Sequence, residues 1–210
     1  MMLGGKKSIQ ELAKHLVSVN KKLVENTALT NCHVVGLNSF IINERPRIRL
    51  FIADKYCKLY DGFDIRNPII PIHPHKYDDL FFPLSGTLTQ HIYKPFDETN
   101  QYDNSIDLNK YKYGRISDSG FIIENLGKQK LEYLGGYDNL EFLKASELHT
   151  VSLDFGNEEL CSWLIFEANE DKNFKQVAYH QDLKKQDNLY LKFTNPIHYL
   201  NDFFNTLRHK

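Results

Sequence analysis

Two histidines one residue apart, His73 and His75, stand in the stretch from Pro71 to Gly86. On an extended strand, residues two apart point to the same side, because side-chain direction there has period two. Both imidazoles can then reach one ion. A carboxylate, Asp79, comes four residues after His75, and Gly86 ends the segment at a turn. A third imidazole, His149, heads a strand-like run from Leu148 to Asp154. Three imidazoles from two segments form a facial ligand set, which leaves positions on a metal free for substrate, water or oxygen.

Other side chains are candidates for the same chemistry. Glu147 precedes His149 by two residues and shares its face if the strand begins early enough. It could serve as a general base or orient a ligand imidazole; the plainer reading is a solvated residue at a strand mouth. Tyr77, beside the histidine pair, could hydrogen-bond a bound molecule or simply line a rim. Arg47 and Arg49 share one face of another strand. They could clamp a substrate carboxylate; the plainer reading is an exposed charged sheet face. Asp78 competes with Asp79 and otherwise reads as a turn residue. His91 reads as a satisfied or exposed histidine, and His15, His33, His180, His198 and His209 as ordinary ones.

Elements of short period must position these groups. Strand-like runs occupy 33–42, 47–52, 79–83, 87–93, 120–123, 129–134, 148–154, 160–167 and 189–193. Turn signals such as Ser85-Gly86 and Phe155-Gly156-Asn157 separate them. Many short strands with no helical pattern between them predict an all-β sandwich or barrel. Asn43 to Pro46 reads as a hairpin turn. The polar stretch from Lys94 to Lys112 reads as a long surface loop. A helix is expected near the start, where Ser8 and Glu11 have capping-box spacing. Another is expected after Asn195-Pro196, with Leu200, Phe203, Phe204 and Leu207 as its apolar stripe.

Composition bounds the function. The chain has 210 residues with a net charge of −1, so no global field favours a polyanion and nucleic-acid binding is not expected. No apolar run has the length of a membrane span. The N-terminal segment carries charges where a signal peptide needs apolar residues. Cys32, Cys57 and Cys161 are odd in number and far apart, and read as free thiols in a reducing compartment. A cytoplasmic protein folded as one domain over residues 1–210 is expected, with a helix in 1–30, a core over 33–167 and the last strands and helix in 168–210.

The segment His73-Pro74-His75, three residues, Asp79, six residues, Gly86 resembles the first conserved motif of the cupin superfamily. That motif has H-x-H, a Glu and a Gly at the same spacing. The run Lys144 to His149 resembles the second motif, with Lys144 and Ser146 in place of its Pro and Gly. Asp79 stands where Glu is usual and is one methylene shorter. Asn67 and Leu153 replace the Gly and Asn that usually open the first motif and end the second.

The resemblance implies a cupin-like jelly-roll barrel, a double-stranded β-helix, with peripheral N- and C-terminal helices. It implies one divalent metal at the barrel mouth on His73, His75 and His149, with Asp79 as a candidate fourth ligand. Iron(II) is the first expectation, with manganese, nickel or zinc as alternatives. The implied function is a small-molecule metalloenzyme, foremost a dioxygenase with a three-histidine site like that of the thiol dioxygenases. The alternatives are a metal-dependent isomerase, epimerase or lyase, and a non-catalytic ligand-binding cupin. A homodimer is also implied by resemblance alone.

Overall fold

The structure, a computed structural model, describes residues 5–60, 63–96, 109–116, 122–180 and 189–208. Two helices, α1 (Lys6–Val19) and α2 (Lys21–Thr27), open the chain. A short strand β1 (Leu29–Thr30) precedes the hairpin of β2 (Leu37–Glu44) and β3 (Arg47–Asp54). Strands β4 (Asp78–Ser85) and β5 (Thr87–Pro95) follow, then β6 (Asn109–Ile116) and the long β7 (Ile122–Asp138). The chain continues through β8 (Phe142–Leu143), β9 (Leu148–Asp154), β10 (Leu160–Ala168), β11 (Val177–His180) and β12 (Leu191–Lys192). Helix α3 (Pro196–Arg208) is last.

The strands form two antiparallel sheets, ordered β12-β1-β2-β3-β10-β4-β8 and β11-β6-β7-β5-β9. This is the expected all-β, cupin-like architecture with peripheral helices. Ile72 bridges to Tyr179 in β11 and His73 to His149 in β9, so these two residues join both edges of the five-stranded sheet.

Alternation explains the layering. In β3, Ile48, Leu50 and Ile52 point outward and pack with Ala13, Val17, Val24, Leu200, Phe203 and Phe204 of the helices. Phe51 and Ala53 point the other way and join Phe81, Leu88, Leu153, Cys161 and Trp163 between the sheets. Arg47 and Arg49 lie on that same inward face, nearer the mouth. A strand buried on both faces reads as near-continuous apolar sequence, broken only where a polar side chain has work to do inside.

Gly86 links β4 to β5 with φ +66°, the left-handed region open to glycine. A Cβ there would lie 2.8 Å from Cys161 Sγ and 3.1 Å from Asp154 O. Gly86→Ala is therefore expected to destabilise the fold by about 1–3 kcal/mol, through backbone strain and this clash. Urea denaturation checks it; an unchanged midpoint would sink the argument.

Several local expectations are corrected. Helix α1 begins at Lys6 with Gly5 as N-cap and no side-chain cap, so Ser8 and Glu11 form no capping box. Residues 33–36 form turns, and the strand starts at Leu37. Of the polar stretch 94–112, residues 97–108 lie outside the described residues, while 109–112 belong to β6. That strand looked polar because Tyr111 is buried while Lys112 faces solvent. Of the run at 120–123, residues 120–121 lie outside the described residues, while 122–123 and the run at 129–134 fuse into β7; β11 had no clear signal because it is four residues long. All three cysteines are buried, and no disulfide joins them. No described helix is long and apolar enough to cross a membrane.

Candidate metal centre and its cavity

His73 and His149 face each other as cross-strand partners, with mutual backbone hydrogen bonds of 2.9 and 3.0 Å. His75 is tied to the same region by its N–H, which donates to Ala145 O at 2.9 Å. One ligand nitrogen from each of the three rings lies within 4.8 Å of the others. The Nε2 atoms of His75 and His149 are 2.8 Å apart. A proton or a cation between two such nitrogens makes that separation favourable.

The outer ring nitrogens are all occupied. His73 Nδ1 meets Pro71 O at 2.8 Å, His75 Nδ1 meets Asp79 Oδ2, and His149 Nδ1 meets Gln90 Oε1 at 2.6 Å. Each acceptor takes an Nδ1–H, which leaves a lone pair on each Nε2. Ligand histidines are held in this way, with the far nitrogen donating to a carbonyl or carboxylate. The donor set therefore fits a divalent metal ion bound through three neutral imidazoles.

Asp79, the candidate fourth ligand, is not in the ligand group. Its Oδ2 meets the back of His75, and it is buried. The short Asp side chain ends at the Nδ1 side of that ring.

Electrostatics favour neutral rings. Burial, with His75 close by, pushes His73 down to about 4. Burial likewise holds His149 well below the ordinary imidazole value, with His75 and His73 adding to it. Neutral imidazole is the ligating form, so His73 and His149 need lose no proton at neutral pH.

The three rings line a cavity of about 350 Å³. Its walls include Phe51, Phe81, Val151 and Trp163, with Phe51 and Trp163 stacked at a centroid distance of 5.3 Å. Arg47 and Arg49 also line it, so they face a cavity and not an exposed sheet surface. The register explains their company. Glu167 in β10 pairs with Arg47 in β3 on one side and with Asp79 in β4 on the other. Glu167 Oε1 lies 3.1 Å from Arg49 Nη2. Its Oε2 lies 3.3 Å from Arg47 Nε, a charge contact without hydrogen-bond geometry.

Tyr77 lines the same cavity, its ring 5.9 Å from the Arg47 guanidinium carbon. Glu147 does not line it. The strand starts only at Leu148, so the face-sharing that would aim Glu147 at His149 does not arise. Its Oε2 instead accepts the Lys144 N–H at 2.8 Å across a turn. Asp78 has a structural role, accepting from Ala145 N and Asn169 Nδ2.

His91 points to the opposite face of β5. It lies 3.0 Å from Tyr133 Oη and 2.8 Å from Ser152 Oγ, and it stacks on Phe63. It is a satisfied, buried histidine.

Sequence reasoning missed four residues at the site: His33, Gln90, Glu167 and Tyr190. The His33 ring is 5.6 Å from that of His73, and its Nδ1 lies 2.8 Å from Tyr190 Oη. His33 and Tyr190 both line the cavity. His33 sits in a turn with φ +67° and carries no periodic signal. Only Gln90 had one, as the polar member of the inward series Leu88, Gln90, Ile92.

Four imidazoles, His91 and His149 buried and His33 and His73 half-buried, make acid sensitivity calculable in sign. Burial lowers His91 to about 4, as it does His73, and lowers His33 and His149 in the same direction. A depressed folded value means that the unfolded chain takes up protons first as pH falls. The stability is fully present above about 6.5 and is lost as pH falls through that value toward 4. In chelator, the metal-free protein is expected to lose on the order of 3 kcal/mol over that range. Urea midpoints at pH 7 and pH 4.5 check this; equal midpoints would refute it.

Fold and site together define an all-β, cupin-like barrel with a three-histidine group that can hold a metal ion. No family model matches the chain, and no curated protein matches it in sequence. Among solved structures it is similar to the polyketide cyclase RemF from Streptomyces resistomycificus, at 13% identity and a TM-score of 0.30. That likeness covers 87% of this chain and 94% of the other. The fold assignment rests on the strand pairing above, not on that likeness.

Proposed function

We propose that the chain is a metal-dependent enzyme of the cupin superfamily, acting on a small anionic molecule, and that its reaction is an iron(II)-supported dioxygenation. The observation that carries the reading is the convergence of three imidazoles, each with its outer nitrogen occupied, in a cavity that two arginines also line.

Charge supports an anionic substrate. Two carboxylates, Glu167 between the arginines and Asp79 behind His75, match the two guanidinium charges in number, and His73 and His149 are neutral. A divalent ion then adds two positive charges with no protein counter-charge, and uncompensated buried charge is costly. An anion entering the cavity removes that cost. Arg47 and Arg49 suit its carboxylate, Tyr77 a hydrogen bond at the rim, and Phe51, Trp163 and Val151 an apolar body. When bound, the ion supplies Lewis acidity and open coordination positions. Dioxygenation places both oxygen atoms in the substrate and so needs no external reductant.

The test begins with elemental analysis of the purified protein and of a His73→Ala/His75→Ala variant. One equivalent of metal in the parent, lost in the variant, is the expected result. Oxygen uptake by the iron-loaded protein with a panel of thiol carboxylates then tests the reaction. No metal after reconstitution with iron, manganese, nickel and zinc would defeat the metalloenzyme reading. Bound metal without oxygen uptake would favour a metal-dependent isomerase, epimerase or lyase. The observation on that side is the His33–Tyr190 pair, a hydrogen-bonded couple beside His73 suited to moving a proton.

A further inference from the structure

We infer that Gln90 is a positioning residue for the metal centre, whose amide is present to hold the His149 ring. This rests on the three-histidine reading above. Gln90 is fully buried, at 0% exposure, in the middle of β5. Its neighbours on the same face, Leu88 and Ile92, and the facing Val151 and Leu153 all belong to the apolar core between the sheets. A long apolar side chain is what this position calls for on packing grounds.

The amide there is only half used. Oε1 accepts from His149 Nδ1 at 2.6 Å, but no described residue accepts from Nε2. A buried donor without a partner is destabilising; an apolar residue of similar shape would remove that penalty but leave the buried His149 Nδ1–H without an acceptor, so the two effects roughly offset. Packing alone therefore gives the amide no advantage at 90. A role in holding the His149 ring predicts the amide that is present.

The geometry shows what the amide holds. Ile92 is the strand partner of His149, and Gln90 stands diagonal to it, within reach of the ring's outer nitrogen. The contact keeps the proton on Nδ1, turns Nε2 toward His73 and His75, and fixes the ring plane. Without it, His149 Nδ1 would face an apolar wall. The ring could then rotate or shift its proton to Nε2, and either change removes a ligand. The three acceptors also differ in strength: a backbone carbonyl behind His73, a carboxylate behind His75 and a neutral amide behind His149. Glutamate at 90 would place a second carboxylate behind a ligand and make that imidazole a stronger donor.

The experiment compares the parent with Gln90→Leu and Gln90→Glu. Thermal unfolding is measured in chelator, and Co(II) affinity is measured by competition with a chelating dye while visible absorption is followed. Gln90→Leu is expected to melt close to the parent without metal, since one unpartnered buried group replaces another, yet to bind Co(II) roughly 10–100-fold more weakly, with an altered Co(II) spectrum. Gln90→Glu is expected to bind at least as tightly as the parent. Gln90→Met, of similar size and a poor acceptor, repeats the test should the leucine variant not fold. A folded leucine or methionine variant with parental affinity and spectrum overturns the inference and leaves the three-histidine reading standing. So does a folded glutamate variant that fails to restore binding. A parent protein that takes up no Co(II) overturns the three-histidine reading itself, before any variant is compared.

Discussion

His149→Ala is expected to purify with less than about a tenth of the parent's metal and to bind added metal more than ~100-fold more weakly. His149 is 2% exposed and sits on a strand paired on both sides, with β5 through its backbone and with His73 across the bridge. Its ring has no freedom to be replaced by a neighbour. His33, whose ring lies 5.6 Å from that of His73, is engaged with Tyr190. The loss also appears as stability. An ion that binds the native state at a hundred times its dissociation constant adds about 2.7 kcal/mol. Metal should therefore raise the parent's melting temperature and leave that of His149→Ala unmoved. Equal shifts in both proteins would mean that the ion binds elsewhere.

Glu167→Gln is expected to cost on the order of 2 kcal/mol of stability, a reduced value because both arginines keep some solvent contact. Glu167 has a side chain 7% exposed and is flanked by Arg47 and Arg49, whose side chains are 36% and 25% exposed. Removing its charge leaves two guanidinium groups facing each other inside the cavity. The same change should create an anion site where the carboxylate stood. Benzoate, as a simple aryl carboxylate, should recover part of the lost stability in Glu167→Gln and stabilise the parent less. Urea midpoints with and without benzoate read both effects. A variant as stable as the parent and indifferent to benzoate would show that Glu167 does not balance the arginines.

Much of the fold was legible locally. The hairpin at 43–46, the turn at Gly86 and the strands that carry Arg47, Asp79 and His149 all have short-range signals: period-two alternation, and glycine or proline where the chain reverses. The β6 and β11 strands did not, because one face of a sheet strand can be polar and a four-residue strand offers too few positions to show a period.

The sequence by itself determined that His73 and His75 share a side, that a third histidine heads a strand, and that the chain is an all-β barrel former. These follow from spacing along one chain segment, which backbone geometry converts directly into direction. Tertiary structure alone decided what stands behind and beside those rings. Asp79 ends behind His75 and not among the ligands, Gln90 braces His149, and Glu167 separates the arginines from Asp79. Each of the last two depends on the register between strands distant in sequence. A slip of one residue in β10 would turn Glu167 away from the cavity, and no local period records that register.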